Sequence, residues 1–227
     1  MYNPPFFENF ANWLEKISTK PVVLAQTHIR QVPLYHYMWF STHPSLTKKI
    51  KDQSLNTLIE TYANKPILIQ NKQFYERHYH KVNKLKNELK KQNSHIKPKY
   101  VMNTIIEYLH KEQLTPAICF IYSRKNVEKT AEEINHCLHR EDMRINLVKK
   151  ECQQILMKLP NYKEYLHLPE YEKLVKLLER GIAFHHSGML PILREMVEIM
   201  FTKGYVQLLF ATETFALGLN MPTKTVI

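Results

Sequence analysis

Apolar and polar positions divide the chain into three stretches of different rhythm. At the start, Phe6, Phe10, Trp13, Leu14 and Ile17 recur near helical spacing, and the runs PVVLA (21–25) and VPLYHYMWF (32–40) read as strands. Residues 41–98 show weaker periodicity: a basic polar connector, with short strands expected at Pro66–Gln70 and around Phe74 and a lysine-rich helix over 76–91. From Lys99 the pattern becomes regular. Val101, Ile105, Ile106 and Leu109 define a helix face, AICFIY (117–122) reads as a buried strand, and a helix is expected from 125 to 139. After a polar helical insertion, Tyr171, Leu174, Val175 and Leu178 mark another helix, closed by Gly181. IAF (182–184), a helix opened by Pro191 with Leu193, Met196, Val197 and Met200 inward, Gly204 as its cap, YVQLLFA (205–211) and a strand from Thr225 to Ile227 complete the alternation. Strand and helix taking turns in this way predict an α/β fold built on a parallel sheet with right-handed crossovers.

Composition narrows the function classes. A chain of 227 residues with 44% hydrophobic and 23% charged content can bury one core and carry an appendage. It has no run of eighteen apolar residues, and MYNPPFFENFANW lacks the basic and apolar regions of a signal peptide, so an intracellular protein with no membrane partner is expected. Cys119, Cys137 and Cys152 are odd in number and show no CxxC spacing, which argues against a disulfide framework or a cysteine zinc site. The net charge of +11 suits a surface that meets phosphate or an acidic partner. Much of the excess lies between Lys72 and Lys99, where nine Lys/Arg face only Glu76 and Glu88; such a run is also what a solvated segment looks like. All four glycines lie at or beyond Gly181, so the chain contains neither a GxxxxGKS/T phosphate loop nor a GxGxxG fingerprint.

The candidate chemistry sits where the predicted strands end. Ser123-Arg124 follows AICFIY, His185-His186-Ser187-Gly188 follows IAF, and Thr212-Glu213-Thr214 follows YVQLLFA. In an open α/β sheet ligands bind at the carboxyl ends of the strands, where helix N-termini and loop amides point outward together. Ser123 and Thr212 can cap helices while leaving amides for a phosphate, Gly188 permits close approach of the main chain, and Arg124 supplies a forked cationic donor. The same residues also serve as ordinary caps and turns in proteins that bind nothing there, so spacing alone leaves both readings open. The adjacent His185 and His186 should point to opposite faces and so cannot grip one metal ion; His136 and His139 have no third ligand; HHSGM lacks the GxSxG elbow of a serine nucleophile.

Residues 181–227, GIAFHHSGMLPILREMVEIMFTKGYVQLLFATETFALGLNMPTKTVI, strongly resemble the second RecA-like domain of the superkiller-type DExH-box RNA helicases. PAICFIYSRKNVE resembles motif IV of that family, NPPFFENFANWLEK the segment after its motif III, and RQVPLYHYMW its interdomain linker. The resemblance implies a RecA-like, P-loop NTPase-like helicase C-terminal domain over 99–227, preceded by the connector at 41–98 and, over 1–40, by a remnant of the first RecA-like domain with the linker. It implies that Ser123, Arg124, His186, Gly188 and Thr212 lie along the backbone of single-stranded RNA, and that Gly218 and Asn220 face the nucleotide and couple its state to domain closure. Asn220 stands where related DEAD-box helicases often carry aspartate, Leu217 replaces the more usual methionine, and Arg194 and Glu195 are expected to fix the HHSG loop. ATP and Mg²⁺ are the implied cofactors of the complete helicase. The phosphate loop, DExH carboxylates and SAT motif would lie before Met1 and the QxxGRAGR motif after Ile227, so the chain alone is expected not to hydrolyse ATP and to need the missing first RecA-like domain as partner. The alternatives are a non-catalytic basic module that binds RNA or protein, and a decayed helicase remnant. The wealth of Lys, Asn, Ile and Tyr also suggests an AT-rich genome such as that of a large DNA virus.

Overall fold

The computed structural model describes residues 6–18, 20–25, 32–43, 50, 52–91, 96–139, 142–216 and 222–227. Helix α1, Phe6–Ile17, forms as its periodicity predicts, and its rings at Phe7, Phe10 and Trp13 face solvent, with Phe10 and Trp13 stacked at 5.7 Å. The run PVVLA is not a strand, and Val23 is exposed. A β-prone sequence becomes sheet only where a second strand satisfies its backbone, and none of the described residues pairs with it.

Residues 36–91 make a small unit of their own. Strand β1, His36–Trp39, pairs antiparallel with β2, Pro66–Gln70, and Phe74 adds a single bridge to Gln70. Helix α2, Gln53–Tyr62, starts at Asp52, whose carboxylate accepts hydrogen bonds from the amides of Ser54 at 2.9 Å and Leu55 at 3.3 Å. Helix α3, Glu76–Lys91, buries Val82, Leu85 and Leu89, which share one face. Ile50, Leu55, Ile59, Leu85 and Leu89 close a compact apolar cluster. The stretch expected as a polar connector therefore carries a core, visible in the sequence only as two short apolar stripes among many lysines and asparagines.

Helix α4, Pro98–Lys111, joins this unit to the rest. The Trp39 indole donates to Ser41 Oγ at 2.8 Å, Ser41 Oγ lies 2.9 Å from Thr104 Oγ1, and Tyr100 donates to the Thr42 carbonyl. Trp39 also packs on Tyr108, ring centres 5.4 Å apart.

The main sheet contains β3, Ala117–Phe120; β4, Ile182–His185; β5, Leu208–Ala211; and β6, Thr225–Val226, in the order β4-β5-β3-β6, every pair parallel. Every residue of β4 and β5 is buried, as parallel strands must be when helices cover both faces. The covering helices include α5, Arg124–Glu133; α6, Asp142–Leu156; the short α7, Tyr162–Leu166; α8, Pro169–Leu178; and α9, Pro191–Thr202. Tyr171, Leu174, Val175 and Leu178 on α8, and Leu193, Met196, Val197 and Met200 on α9, face the core as their spacing predicts. Gly181 and Gly204 follow these helices at φ +76° and +77°, the left-handed region glycine enters without penalty. Cys119 and Cys152 are buried, and burial pushes both thiols up to about 12, so they behave as small apolar side chains.

One helix ends earlier than its sequence suggests. The stretch expected to run to residue 139 stops at Glu133, and Ile134 turns extended at φ −71°, ψ 127°. Tertiary partners take the backbone there: Asn103 donates to the Glu133 carbonyl and accepts from the Asn135 amide, and the Arg180 guanidinium donates to the carbonyls of Ile134 and His136. Intrinsic propensity of a few tenths of a kcal/mol per residue is easily outweighed by such bonds.

Candidate nucleic-acid interface

Because β4, β5 and β3 are adjacent and parallel, the loops that leave them emerge at one edge of the sheet. Two hydrogen bonds stitch the loop bases together, from the Ile121 amide to the Ala211 carbonyl at 2.9 Å and from the Thr212 amide to the His185 carbonyl at 3.2 Å. Ser123, Arg124, His186, Gly188 and Thr212 are thus neighbours on a common edge, although up to 89 residues of sequence separate Ser123 from Thr212.

Ser123 sits at the N-cap of α5, its Oγ accepting from the Asn126 amide over a long 3.4 Å. That bond uses one of the orphan amides at the head of the helix and leaves the end electropositive. Arg124, the first helical residue, is exposed. Gly188 lies against it: a Cβ built on Gly188 would stand 3.4 Å from Arg124 Cδ and 3.2 Å from His186 Nδ1, tighter than side chains normally pack. The tighter of these contacts is to His186, so a side chain at Gly188 would press on the imidazole within its own loop.

The two histidines diverge, as neighbouring strand positions must. His186 is 3% exposed; its Nδ1 accepts the Gly188 amide at 3.1 Å and its Nε2 lies 2.9 Å from Glu128 Oε1 on α5, while the ring stacks on Phe184. Both ring nitrogens are engaged inside the protein, so the imidazole shapes the loop, and what it leaves at the surface is backbone. Glu128 in turn holds Lys173 of α8 at 2.7 Å, and Lys173 also pairs with Glu132 and lies 5.5 Å from the Phe184 ring centre. Burial would raise the Glu128 carboxyl, but hydrogen bonds from Lys173 and His186 outweigh it and hold the group below the ordinary carboxylate value. Burial would likewise lower Lys173, and its two carboxylate partners reverse the shift.

His185 goes the other way. Its Nε2 lies 2.9 Å from Glu198 on α9, and its ring meets the edge of Phe215 at 4.6 Å, in the 3-10 turn Glu213–Ala216 that follows Thr212. Burial depresses its pKa in spite of Glu198, and Arg194 nearby adds to the effect. Arg194 is half-buried with its Nε lacking a hydrogen-bond partner, and Glu195 faces solvent. Thr212 is buried; its amide is bound to His185 and its carbonyl accepts from the Phe215 amide at 3.1 Å. Gly218 and Asn220 lie outside the described residues.

The sequence did not point to Glu128, Lys173 or Glu198. Each is a lone charged residue on a helix, and the bonds Glu128 makes to His186 and Lys173 span 58 and 45 residues. Among the described residues no group of three His, Cys, Asp or Glu side chains is placed to hold a metal ion, and no helix is long and apolar enough to cross a membrane.

No protein-family model matches the chain. Individual relatives do. The chain is 46% identical over 127 residues, 54% of its length, to the antiviral helicase SKI2 of Saccharomyces cerevisiae. It is 30% identical over 96% of its length to the ATP-dependent RNA helicase mtr4 of Schizosaccharomyces pombe, and 28% identical over 98% to the exosome RNA helicase MTR4 of Homo sapiens. These matches span 9%, 19% and 20% of the relatives' own lengths. All three relatives are cellular proteins, so the viral origin expected from composition draws no support from them. With homology running through nearly the whole chain and a parallel α/β sheet in the stretch that carries the motifs, the protein belongs to the superkiller-type DExH-box RNA helicases.

Proposed function

We propose that the chain supplies the second RecA-like domain's share of an ATP-dependent RNA helicase, and that its sheet edge holds the sugar-phosphate backbone of single-stranded RNA. The observation that carries this reading is the convergence of three strand-end loops on one edge, with Gly188 packed against Arg124. In it, Arg124 is the charged phosphate contact, the head of α5 behind Ser123 offers amides, the main chain at Gly188 follows the strand, and Thr212, buried with its amide and carbonyl engaged, holds the turn beneath it. His186 acts through Gly188, whose amide it orients. Gly218 and Asn220 take the nucleotide-coupling role. None of these contacts reads a base, so binding is expected to be indifferent to sequence.

In the complete helicase ATP and Mg²⁺ would be held mainly by the partner RecA-like domain, whose phosphate loop has no counterpart within these 227 residues. This chain's part is that of one jaw: closed with nucleotide bound, it and its partner grip the strand, and reopening after hydrolysis releases it, a population shift driven by contacts that exist only in the closed state. Alone, the chain is expected to bind RNA without hydrolysing ATP.

Arg124→Ala tests the reading, because this exposed side chain can be removed without touching the core. Binding of the full chain to single-stranded RNA should weaken to a similar degree for every sequence, and the slope of log affinity against log salt should fall by about 0.7. Unchanged affinity and slope would remove the sheet edge from consideration as the RNA path.

A further inference from the structure

The small unit carries a second surface whose chemistry the sheet edge does not use. On α3 the buried residues Val82, Leu85 and Leu89 define the inner face. At 100° per residue Lys86 and Lys90, both exposed, fall on the flank that carries Tyr79, while Arg77, His80, Lys84 and Lys91 lead the face opposite the core. Between Lys72 and Lys91 there are seven Lys/Arg against Glu76 and Glu88, and Glu88 is paired with Lys91 at 2.9 Å. From Tyr79 to Lys90 this flank runs roughly 17 Å at 1.5 Å per residue.

Three aromatic rings stand exposed at the N-terminal end of this flank: Phe74, 45% exposed; Tyr75, 36%; and Tyr79, 39%. They are arranged on an ordered backbone. The Tyr75 amide donates to the Ile69 carbonyl at 2.8 Å, Phe74 bridges to Gln70, and His78 Nδ1 lies 3.2 Å from the Leu68 carbonyl, which ties the helix to β2. The rings touch one another or adjacent histidines, Phe74 with Tyr79 at 5.7 Å, Tyr75 with His78 at 6.0 Å and Tyr79 with His80 at 5.8 Å, and still face solvent. A solvated lysine helix has no use for three large rings held in water, each of which forfeits burial it could have had.

The geometry points to a second single-strand binding platform at residues 72–91, where Phe74, Tyr75 and Tyr79 stack unpaired bases and Lys86 and Lys90, on the flank that carries Tyr79, track the phosphates. Exposed rings beside a cationic track are the combination by which proteins hold single strands without sequence preference. A duplex, whose base faces are covered, would engage only the charges. The choice of RNA as the polymer rests on the helicase reading above; the platform itself does not depend on the sheet edge.

The test uses the full chain and fluorescence anisotropy with labelled oligouridine, an RNA duplex and polyglutamate. The triple variant Phe74→Ala, Tyr75→Ala, Tyr79→Ala should weaken oligouridine binding about fivefold or more while leaving the salt slope as it was. The variant Lys86→Gln, Lys90→Gln should lower that slope by about 1.4, two contacts at 0.7 each. Tyr75→Leu with Tyr79→Leu keeps the apolar bulk and removes the π faces, so it should show the aromatic loss even if the alanine variant melts early. The proposal is overturned if the leucine variant binds oligouridine as the parent does, or if it loses duplex or polyglutamate binding by the same factor, since an acidic protein or simple charge attraction would then explain the surface. If Arg124→Ala has no effect while the aromatic variants do, the sheet-edge reading fails and the platform stands.

Discussion

The parallel-sheet region and the small unit at 36–91 are built on opposite plans. In the sheet region, β4 and β5 are buried along their whole length, and the edge where their loops emerge hangs on polar residues taken out of water, His185, His186 and Thr212. In the small unit a few apolar residues of α2 and α3 support a surface whose charges and rings are exposed. The first arrangement fixes loop geometry through a network that tolerates little change; the second leaves its chemistry in solvent, where residues can be replaced without disturbing the core. A site that must hold a defined backbone path fits the first plan, and a sequence-tolerant platform fits the second.

Core substitutions should separate the two regions most sharply. Phe210→Ala, at the centre of β5, should cost about 3–5 kcal/mol, a large part of a domain's stability. Leu85→Ala should cost about 2–3 kcal/mol, because a small cluster can collapse around the gap. Hydrogen exchange after Leu85→Ala should quicken over 53–91 and leave the β5 amides protected. Equal loss of protection in both would mean that the regions unfold as one, and the contrast between them would dissolve.

A smaller effect, about 1–2 kcal/mol, is expected from Glu128→Ala, which strips His186 Nε2 and Lys173 of a partner while leaving Lys173 its bond to Glu132. Because His186 positions the Gly188 amide, the same change should weaken RNA binding at the sheet edge and leave oligouridine contacts of the small unit alone. A double-mutant cycle with Arg124→Ala measures the coupling.

The smallest effect is the pH dependence of stability, and it should come from the sheet region. Burial holds His185 and His139 below the ordinary histidine value, against the opposing bonds to Glu198 and the Leu178 carbonyl. The unfolded chain takes up these protons near pH 6.5 and the folded chain does not, so stability is fully present above about pH 6.5 and declines as the pH falls through the depressed folded values. The lowered Glu128 carboxyl continues the decline at more acid pH, below the ordinary carboxylate range. The unfolding free energy from urea titrations, followed downward from neutral pH, should fall by an amount on the order of 1 kcal/mol, and His139→Gln, which can keep the bond to Leu178, should flatten the curve.

Much of this could be read in the sequence. The faces of α8 and α9, the strands β3, β4 and β5 and the three polar loops after them were legible because period 3.6 and continuous apolar runs report burial locally. The PVVLA run and the end of α5 were misread because pairing and hydrogen bonds from Asn103 and Arg180, made far along the chain, outweigh local preference. The core of the small unit was hidden because Leu55, Ile59, Leu85 and Leu89 are sparse among polar residues and gain meaning only when two helices meet.

By itself the sequence determined that this is an α/β chain of the superkiller-type helicase family, with polar turns at strand ends, because alternation of apolar periods and short motifs are properties of neighbouring residues. Only the tertiary structure decided that those turns share an edge, that His186 is enclosed between Gly188 and Glu128, and that the lysine-rich helix sits on a core with its rings outward. These depend on strand order and on contacts between residues dozens of positions apart, and a hydrogen bond or an apolar contact forms by distance in space, which local pattern does not encode.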